Sequence, residues 1–318
     1  MSERLEVIDI HTHLWPPAWA PGGPRAKSHF NFRKETLERI TNPQILIDEF
    51  RQAGIELGVV TATIESLYGH EGPVDFAGVR EANDWLAKLQ QDHEGIVAFA
   101  VTDAFAGDAG AREAERAITE LGLAGLVLDS ARDGHFIGDS AVRPILEVAA
   151  RHRVPVFVHP VSHPQADVLI RGAGTLGNSA GRGLINSVAF LSVIQSSLLD
   201  ELPDLHLIFA TLGLGGIVQA SRGGRYSRAQ RQAKVRPNIY FDTMGDDPAI
   251  IRTLVDFFGA ERVLAGTDWP ILPALRHDSL QASLTEAGLN GAEQRLIAGG
   301  NARRLLGLRL QDAVAAAE

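Results

Sequence analysis

Short apolar runs alternate along the chain with longer stretches in which apolar residues recur at helical spacing. Several of the short runs lack polar alternation, which is typical of parallel strands covered on both faces. The runs predict eight strands: Val7–Ile10, Leu57–Thr61, Ile96–Val101, Gly125–Leu128, Pro155–Val158, His206–Ala210, Ile239–Phe241 and Val263–Ala265. The intervening stretches predict helices: Pro43–Ala53, Phe76–Gln91, Ala109–Leu121, Val142–Arg151, Leu184–Leu199, Asp247–Phe257, Asp278–Glu286, Ala292–Ile297 and Ala302–Leu306.

This β-then-α order predicts an α/β fold, a (β/α)₈ TIM-like barrel that forms a single domain over residues 1–318. An open doubly wound sheet is the alternative. Its dinucleotide-binding form is disfavoured because no G-x-G-x-x-G follows the first strand. Two long segments, Leu14–Phe32 after strand one and Ser162–Gly183 after strand five, are predicted to be loops. Both follow strands, so we expect them on the face where barrel active sites lie.

The composition limits the classes of protein and of site. Of the 318 residues, 45% are hydrophobic and 22% are charged, which is typical of a globular protein with a sizeable core. Because the chain has no cysteine, any metal must be bound by nitrogen and oxygen. The net charge of −9 argues against a nucleic-acid partner. With no recognisable signal peptide or membrane-spanning run, we expect a cytoplasmic protein without a membrane partner.

Metal-ligating side chains stand at the ends of three predicted strands. His11 and His13 follow strand one, and side chains at i and i+2 of a strand point to the same face. His159 ends strand five and Asp268 follows strand eight. Taken singly, each has an ordinary alternative, such as a surface histidine or a turn-capping aspartate. Together, three imidazoles and one carboxylate are a suitable ligand set for a divalent ion.

These residues lie in segments that resemble the amidohydrolase-2 group of the amidohydrolase superfamily, the branch similar to aminocarboxymuconate-semialdehyde decarboxylase. The resemblance covers almost the whole chain, in family order, and residues 259–270 are its most specific part. It implies a TIM-like barrel with one divalent ion at His11, His13, His159 and Asp268. Zinc is the expected ion and manganese the alternative. The matching segments are Ile8–His13, Val156–Pro160, Leu202–Ala210, Asn238–Thr243, Phe258–Pro270 and Asn301–Ala302.

One position departs from the resembled pattern. Family members similar to this chain read Ala-His-x-Gly-Gly after strand six, whereas here Thr211 stands in place of that histidine. The histidine is implied to act as an acid or base or to polarise the substrate, and threonine cannot shuttle a proton near neutral pH. Three explanations are open: changed chemistry, another residue in the role, or an introduced substitution. His163 in the fifth loop and His135 after strand four are candidates for the role, with exposed loop histidines as the alternative.

The favoured hypothesis is hydrolysis of a small cyclic carboxylated substrate, such as a lactone or cyclic amide, by water bound to the metal. Asp268, Thr211 and His163 are its candidate catalytic residues. The alternative is non-oxidative decarboxylation of a small aromatic or muconate-type acid, which the lost histidine would impair more than hydrolysis. A second alternative is a catalytically impaired variant or a non-catalytic binding relic. Retention of all four metal-site residues argues against a relic.

Substrate binding is predicted for two pairs of residues. Arg222 and Arg225 are suited to pairing with a carboxylate, and Trp15 and Trp269 to forming an aromatic wall. Their alternatives are a basic surface loop and core packing. Asp242, at the end of strand seven, is expected either to hydrogen-bond a ligand histidine or to cap a helix. We expect a small carboxylic acid or lactone as substrate and, from the resemblance, a homodimer.

Overall fold

The computed structural model describes residues 4–20, 22–25, 32–65, 74–162, 168, 171–216, 218 and 238–307. The strands are β1 (Ile8–His13), β2 (Leu57–Thr61), β3 (Ile96–Ala98), β4 (Ala100–Val101), β5 (Leu126–Asp129), β6 (Ala131–Arg132), β7 (His135–Phe136), β8 (Pro155–His159), β9 (His206–Phe209), β10 (Ile239–Asp242) and β11 (Val263–Leu264). The α-helices are α1 (Lys34–Ile40), α2 (Pro43–Ala53), α3 (Phe76–Asp92), α4 (Asp108–Thr119), α5 (Arg143–His152), α6 (Gly177–Gln195), α7 (Leu198–Glu201), α8 (Pro248–Phe258), α9 (His277–Glu286), α10 (Gly291–Arg295) and α11 (Asn301–Leu305).

The strands form parallel sheets in the order β1-β2-β3 and β11-β10-β9-β8-β5-β4. β3 and β4 are separated only by Phe99, whose N–H donates to Val60 O at 3.0 Å. At the other edge, Ile10 N donates to Ala265 O at 3.0 Å, so β1 lies beside the segment that follows β11. The parallel α/β fold predicted from the sequence is confirmed. Closure into an eight-stranded barrel and a single domain stay predictions.

Helix α8 shows how the helices are positioned against the strands. The Asp247 side chain accepts N–H groups from the first turn and Pro248 occupies the first helical position, two strong helix-start features. The helix buries Ile251, Leu254, Val255 and Phe258, which share one face. Phe258 stacks on Phe241 of β10, with ring centroids 4.3 Å apart. The apolar face of the helix therefore covers the strand that carries Asp242.

The structure differs from the sequence prediction in the segment after β8. The sequence predicts a helix from Leu184, but α6 begins at Gly177, inside the segment expected to be a loop. Glycine disfavours an isolated helix, yet here it permits close packing, because a Cβ on Gly183 would lie 2.4 Å from Leu212 O. Helix α1 and the antiparallel pair β6–β7 are also additional to the predicted elements. Both predicted loops fall partly outside the described residues, so their length stays a prediction.

In the part of the chain that the structure describes, we find no helix that combines the length and apolar character needed to cross a membrane.

Candidate metal centre and cleft

β1 carries His11 and His13 on one side, as the i, i+2 spacing predicts. Both are buried, and their Nε2 atoms lie 3.1 Å apart. Asp242, at the end of β10, has its Oδ2 2.5 Å from His11 Nδ1. Because the carboxylate can only accept here, we assign the His11 proton to Nδ1, which leaves a lone pair on Nε2. Asp242 therefore orients His11, which was one of the two roles expected for it.

His13 is oriented by the neighbouring strand. Thr61 of β2 places its Oγ1 2.8 Å from His13 Nδ1 and 3.2 Å from Thr12 O. If the hydroxyl donates to that carbonyl, it accepts from Nδ1–H, and the Nε2 lone pair of His13 also faces inward. Two lone pairs 3.1 Å apart repel each other unless a cation lies beside them. The hydrogen bonds thus favour a metal between these rings.

His159 and Asp268 complete the cluster from β8 and from the segment after β11. Asp268 Oδ1 lies 3.0 Å from His13 Nε2 and 3.5 Å from His11 Nε2. The backbone of Asp268 is left-handed, with φ of 72°, and its N–H donates to His11 O at 2.8 Å. Ring atom Nδ1 of His159 is buried and has no hydrogen-bond partner among the described residues. One ligand atom from each of the four residues lies within 4.8 Å of the others, and we call this group the metal centre.

The protonation tendencies of these groups follow from burial and mutual charge. Burial lowers the pKa of His13, against the hydrogen bond to Asp268, and holds the pKa of His159 well below its ordinary value. Burial also opposes the charged form of His11, but the Asp242 carboxylate raises the pKa of His11. The pKa of Asp268 is lowered despite burial, because His13 hydrogen-bonds to it and positive groups surround it. The shifts of Asp268, His13 and His159 favour the forms that ligate a metal, a deprotonated aspartate and neutral imidazoles, whereas the raised pKa of His11 acts in the opposite direction.

A buried aspartate below the metal centre holds its two strand ends together. Asp9 accepts N–H groups from His11 at 3.1 Å and Thr267 at 3.0 Å, and the Thr267 hydroxyl at 2.6 Å. Burial raises the pKa of Asp9 to about 7, even though these hydrogen bonds oppose the rise. The spacing between His11 and Asp268 is therefore set by contacts beneath the ligands as well as by the ligands themselves.

The metal centre opens into a cleft of about 170 Å³, whose lining includes His13, His159 and Asp268. Most other lining side chains are apolar and include Trp15, Phe32, Ile40, Met244 and Leu272. Polar lining comes largely from the start of α6, with Asn178, Ser179 and Arg182. The cleft is thus of a size and polarity for a small ring compound with one or two polar groups.

The remaining predicted site residues lie in different parts of the protein, and only some of them are near the cleft. Trp15 lines the cleft. Trp269 is 0% exposed, its indole N–H donates to Glu49 Oε2 at 2.8 Å, and its ring lies under the Arg39 guanidinium. Trp269 therefore packs in the interior instead of forming a substrate wall. His135 is exposed and sits 2.8 Å from Asp139. His163, Arg222 and Arg225 lie outside the described residues.

Thr211 is buried and does not point its hydroxyl at the cleft. Its N–H donates to Asp242 Oδ1 at 2.8 Å, and its hydroxyl donates to the Asp242 carbonyl. The side chain therefore supports the aspartate that orients His11. This arrangement gives Thr211 a positioning role and leaves it no direct route to a substrate proton.

Sequence reasoning missed the ion pair between Arg182 and Glu65. Glu65 is 1% exposed, and its Oε2 lies 3.0 Å from Nη1 and 3.1 Å from Nη2 of Arg182. A signal for Glu65 was present, because a charged residue closely follows β2, at the same strand ends as the metal centre. Arg182 gave no comparable signal, since it lies between glycines in a segment predicted to be a loop.

Comparison with known proteins identifies related chains. A family model described as "Amidohydrolase" matches residues 8–308. A 2-amino-3-carboxymuconate-6-semialdehyde decarboxylase from Dictyostelium discoideum is 26% identical over an alignment 343 residues long, gaps included, and the alignment covers 96% of this chain and 92% of the relative. The crystal structure of a 5-carboxyvanillate decarboxylase from Sphingomonas paucimobilis superposes with a TM-score of 0.79 at 20% identity, covering 96% of this chain and all of that one.

A second solved structure contains a metal. It is a dihydroxybenzoic acid decarboxylase from a Polaromonas species with bound manganese and an inhibitor, 2-nitroresorcinol. It superposes with a TM-score of 0.77 at 20% identity, over 96% of this chain and 97% of that chain. At this identity both solved structures demonstrate a shared fold.

Proposed function

We propose, from the premise that the chain belongs to the amidohydrolase family, that it is a metal-dependent decarboxylase of a small aromatic or muconate-type acid. The observation that carries the proposal is the cluster of His11, His13, His159 and Asp268, which opens into a small apolar cleft. The three related proteins named above are decarboxylases, and this favours the alternative over the hydrolysis that the sequence alone favoured. We place the centre at the mouth of a (β/α)₈ barrel.

The ligand set fits one divalent ion. Three neutral imidazoles and one carboxylate suit zinc, and they also suit manganese, which the Polaromonas neighbour contains. We propose zinc as the first ion to test and manganese as the second. When bound, such an ion acts as a Lewis acid that polarises a substrate oxygen.

Decarboxylation breaks the bond between a carbon and its carboxylate, and the electron pair left on that carbon takes up a proton. Asp268 is suited to move this proton, because its carboxylate belongs to the cleft lining beside His13. Asp268 starts deprotonated because its pKa is lowered, so its carboxylate must first take up a proton from solvent, and the carboxyl group formed in this way is acidic enough to pass that proton to the carbon. We therefore assign Asp268 the proton transfer that Thr211 cannot perform.

The apolar lining assists the same reaction. Trp15 and Ile40 restrict water around a bound acid, and a charged carboxylate is poorly solvated in such surroundings. Carbon dioxide is neutral, so it loses less solvation free energy than a carboxylate when it leaves water. The cleft therefore disfavours the charged reactant relative to the neutral product, an effect that adds to the proton transfer by Asp268.

The experiment is metal analysis of the purified protein together with an assay of a panel of acids and lactones. We expect about one zinc or manganese per chain and carbon dioxide release from a hydroxybenzoic or muconate-type acid, both lost in His159→Ala. Hydrolysis of a lactone without release of carbon dioxide from any acid would support the second candidate, a hydrolase. A protein that binds no metal after supplementation would overturn both. Light scattering tests the expected homodimer.

A further inference from the structure

Met244 lines the cleft with a backbone conformation that is unusual for its side chain. Its φ is 47°, in the left-handed region, where the Cβ of most residues lies too close to the following carbonyl oxygen. In the described part of the chain, three other non-glycine residues have a positive φ: Asp133, Arg153 and Asp268. Two of these four, Met244 and Asp268, lie at the cleft. Aspartate adopts this conformation several-fold more often than most residues, whereas methionine has no polar group that could compensate for the strain.

Hydrogen bonds on both sides of Met244 hold this conformation. On one side, Thr243 N donates to Leu264 O at 2.9 Å, and the Thr243 hydroxyl both donates to Gly266 O and accepts from Gly266 N, each at 3.2 Å. On the other side, Gly245 N donates to Gly266 O at 2.7 Å. Strained backbone persists only where surrounding contacts enforce it, and such residues cluster at active sites and ligand-binding positions. The position of Met244 at the cleft is therefore imposed by the segment around β11.

The strain at this position is explained only by what the methionine side chain does. Glycine would adopt the conformation without strain, as Gly245 does with a φ of 113°. The Met244 side chain packs partly against the hydrophobic core and partly lines the cleft. Core packing is one explanation. Contact with a ligand is the other, because a thioether packs favourably against an aromatic ring, and the rings of Trp15 and Phe32 line the same cleft with centroids 5.7 Å apart.

We propose that Met244 contacts the ring of the bound acid and limits how far that ring can extend, so that Met244 determines the size of the substrate. This rests on the proposed function, because it requires that a small acid binds in the cleft. The cleft holds about 170 Å³, and Met244 occupies space that a second fused ring would need. Because its backbone is held on both sides, Met244 has little freedom to move aside. One extra or missing methylene in an apolar pocket changes discrimination about 10- to 200-fold.

The first test detects the contact directly in the zinc-loaded wild-type protein. The chain contains two methionines, Met1 and Met244, so a sample labelled with ¹³C at the methionine methyl gives at most two methyl signals. The signal that is absent from Met244→Leu belongs to Met244. It should shift on titration with salicylate, because an aromatic ring changes the magnetic field at a methyl group packed against it. A Met244 signal that does not move when salicylate binds, or no binding of salicylate at all, would overturn the proposal.

The second test measures selectivity by calorimetric titration. The probes are salicylate and 1-hydroxy-2-naphthoate, 3-hydroxy-2-naphthoate and 2-hydroxy-1-naphthoate, which add a second ring to salicylate at three different edges. Met244→Ala should raise the affinity of at least one naphthoate, relative to salicylate, by roughly 10-fold or more. Met244→Leu has a similar volume and should keep the wild-type ratios. Arg153→Ala is the matched control, because Arg153 has the same left-handed backbone, with a φ of 54°, and a side chain that is 74% exposed at the end of α5.

Met244→Gly tests the strain and provides a second truncated variant. Because glycine relieves left-handed strain, Met244→Gly should melt roughly 2 °C or more above Met244→Ala. The order of the two variants should be reversed at Glu120, which follows α4 with a φ of −97°. A Met244→Ala protein that melts above Met244→Gly, or wild-type naphthoate ratios in the folded truncated variants, would contradict the proposal.

The outcomes for Met244 and for the proposed reaction are separable. Decarboxylation of an acid without the methyl shift and the changed ratios would leave the reaction standing and remove the role of Met244. The shift and the changed ratios without decarboxylation of any acid would support the role of Met244 and overturn the reaction.

Discussion

Replacing Asp242 with asparagine should weaken metal binding although Asp242 is not one of the four proposed ligands. Its carboxylate accepts from His11 Nδ1 at 2.5 Å and from the Thr211 N–H at 2.8 Å. An asparagine oxygen can satisfy only one of these donors well, and its NH₂ group must then face the other. If the NH₂ faces His11, the imidazole proton moves to Nε2, the atom that points at His13 and Asp268. A protonated Nε2 cannot ligate a metal.

The expected magnitude follows from this tautomer argument. Loss of the carboxylate behind a metal-ligating histidine typically lowers metal affinity 10- to 100-fold, or about 1.4 to 2.8 kcal/mol. We expect the upper part of this range, because Asp242 is 0% exposed and water cannot replace its oxygen. The shape of the side chain is nearly unchanged, so the loss of affinity should exceed any loss of packing.

The assay is zinc titration against a competing chelator, with wild-type protein and two variants. Asp278→Asn is the matched control, because it makes the same change at a side chain that is 97% exposed at the start of α9. Its zinc affinity should equal that of the wild type. An Asp242→Asn affinity within 2-fold of the wild type would refute the expectation that the asparagine NH₂ group faces His11 and moves its proton to Nε2.

Three further predictions concern residues around the centre. His159→Ala should lower metal content from about one ion per chain to a small fraction, measured by elemental analysis, and unchanged content would remove His159 from the ligand set. Thr211→Val should cost about 1 kcal/mol of unfolding free energy, because the hydroxyl that donates to Asp242 O is lost, while activity falls less than 10-fold. A larger fall would give the hydroxyl a part in the chemistry. Gly183→Ala should destabilise the fold by roughly 1–3 kcal/mol in chemical denaturation, because its Cβ would lie 2.4 Å from Leu212 O, and a neutral effect would show that α6 can shift.

The sequence predicts much of the strand framework and the clustering of the four candidate ligands. His11 and His13 can be identified from the sequence because side chains at i and i+2 of a strand lie on the same side. His159 and Asp268 can be identified because each one follows a run of apolar residues that the fold buries. Position along a strand is a local property, so it can be read from a short stretch of sequence. The roles of the four residues as ligands stay a prediction that metal analysis must test.

Features that depend on packing between distant segments escape such reasoning. The pairing of Arg182 with Glu65 joins residues 117 positions apart. Trp269 stands next to Asp268, but its indole N–H donates to Glu49, a residue 220 positions away in the chain. The early start of α6 depends on contact with the turn at residues 211–213, which no propensity at residues 177–183 indicates.

The hydrogen bonds between Asp9 and Thr267 join residues 258 positions apart and hold the first strand against the last. During synthesis at typical rates, the ribosome makes the second partner about 10 to 50 s after the first. Throughout that interval His11 and His13 exist in the growing chain without Asp268 or the contact that sets its distance. We therefore expect uptake of the proposed metal to be a late event that reports completed docking of β1 beside the segment after β11. An ion that binds only this finished arrangement would also draw the folding equilibrium toward it by mass action.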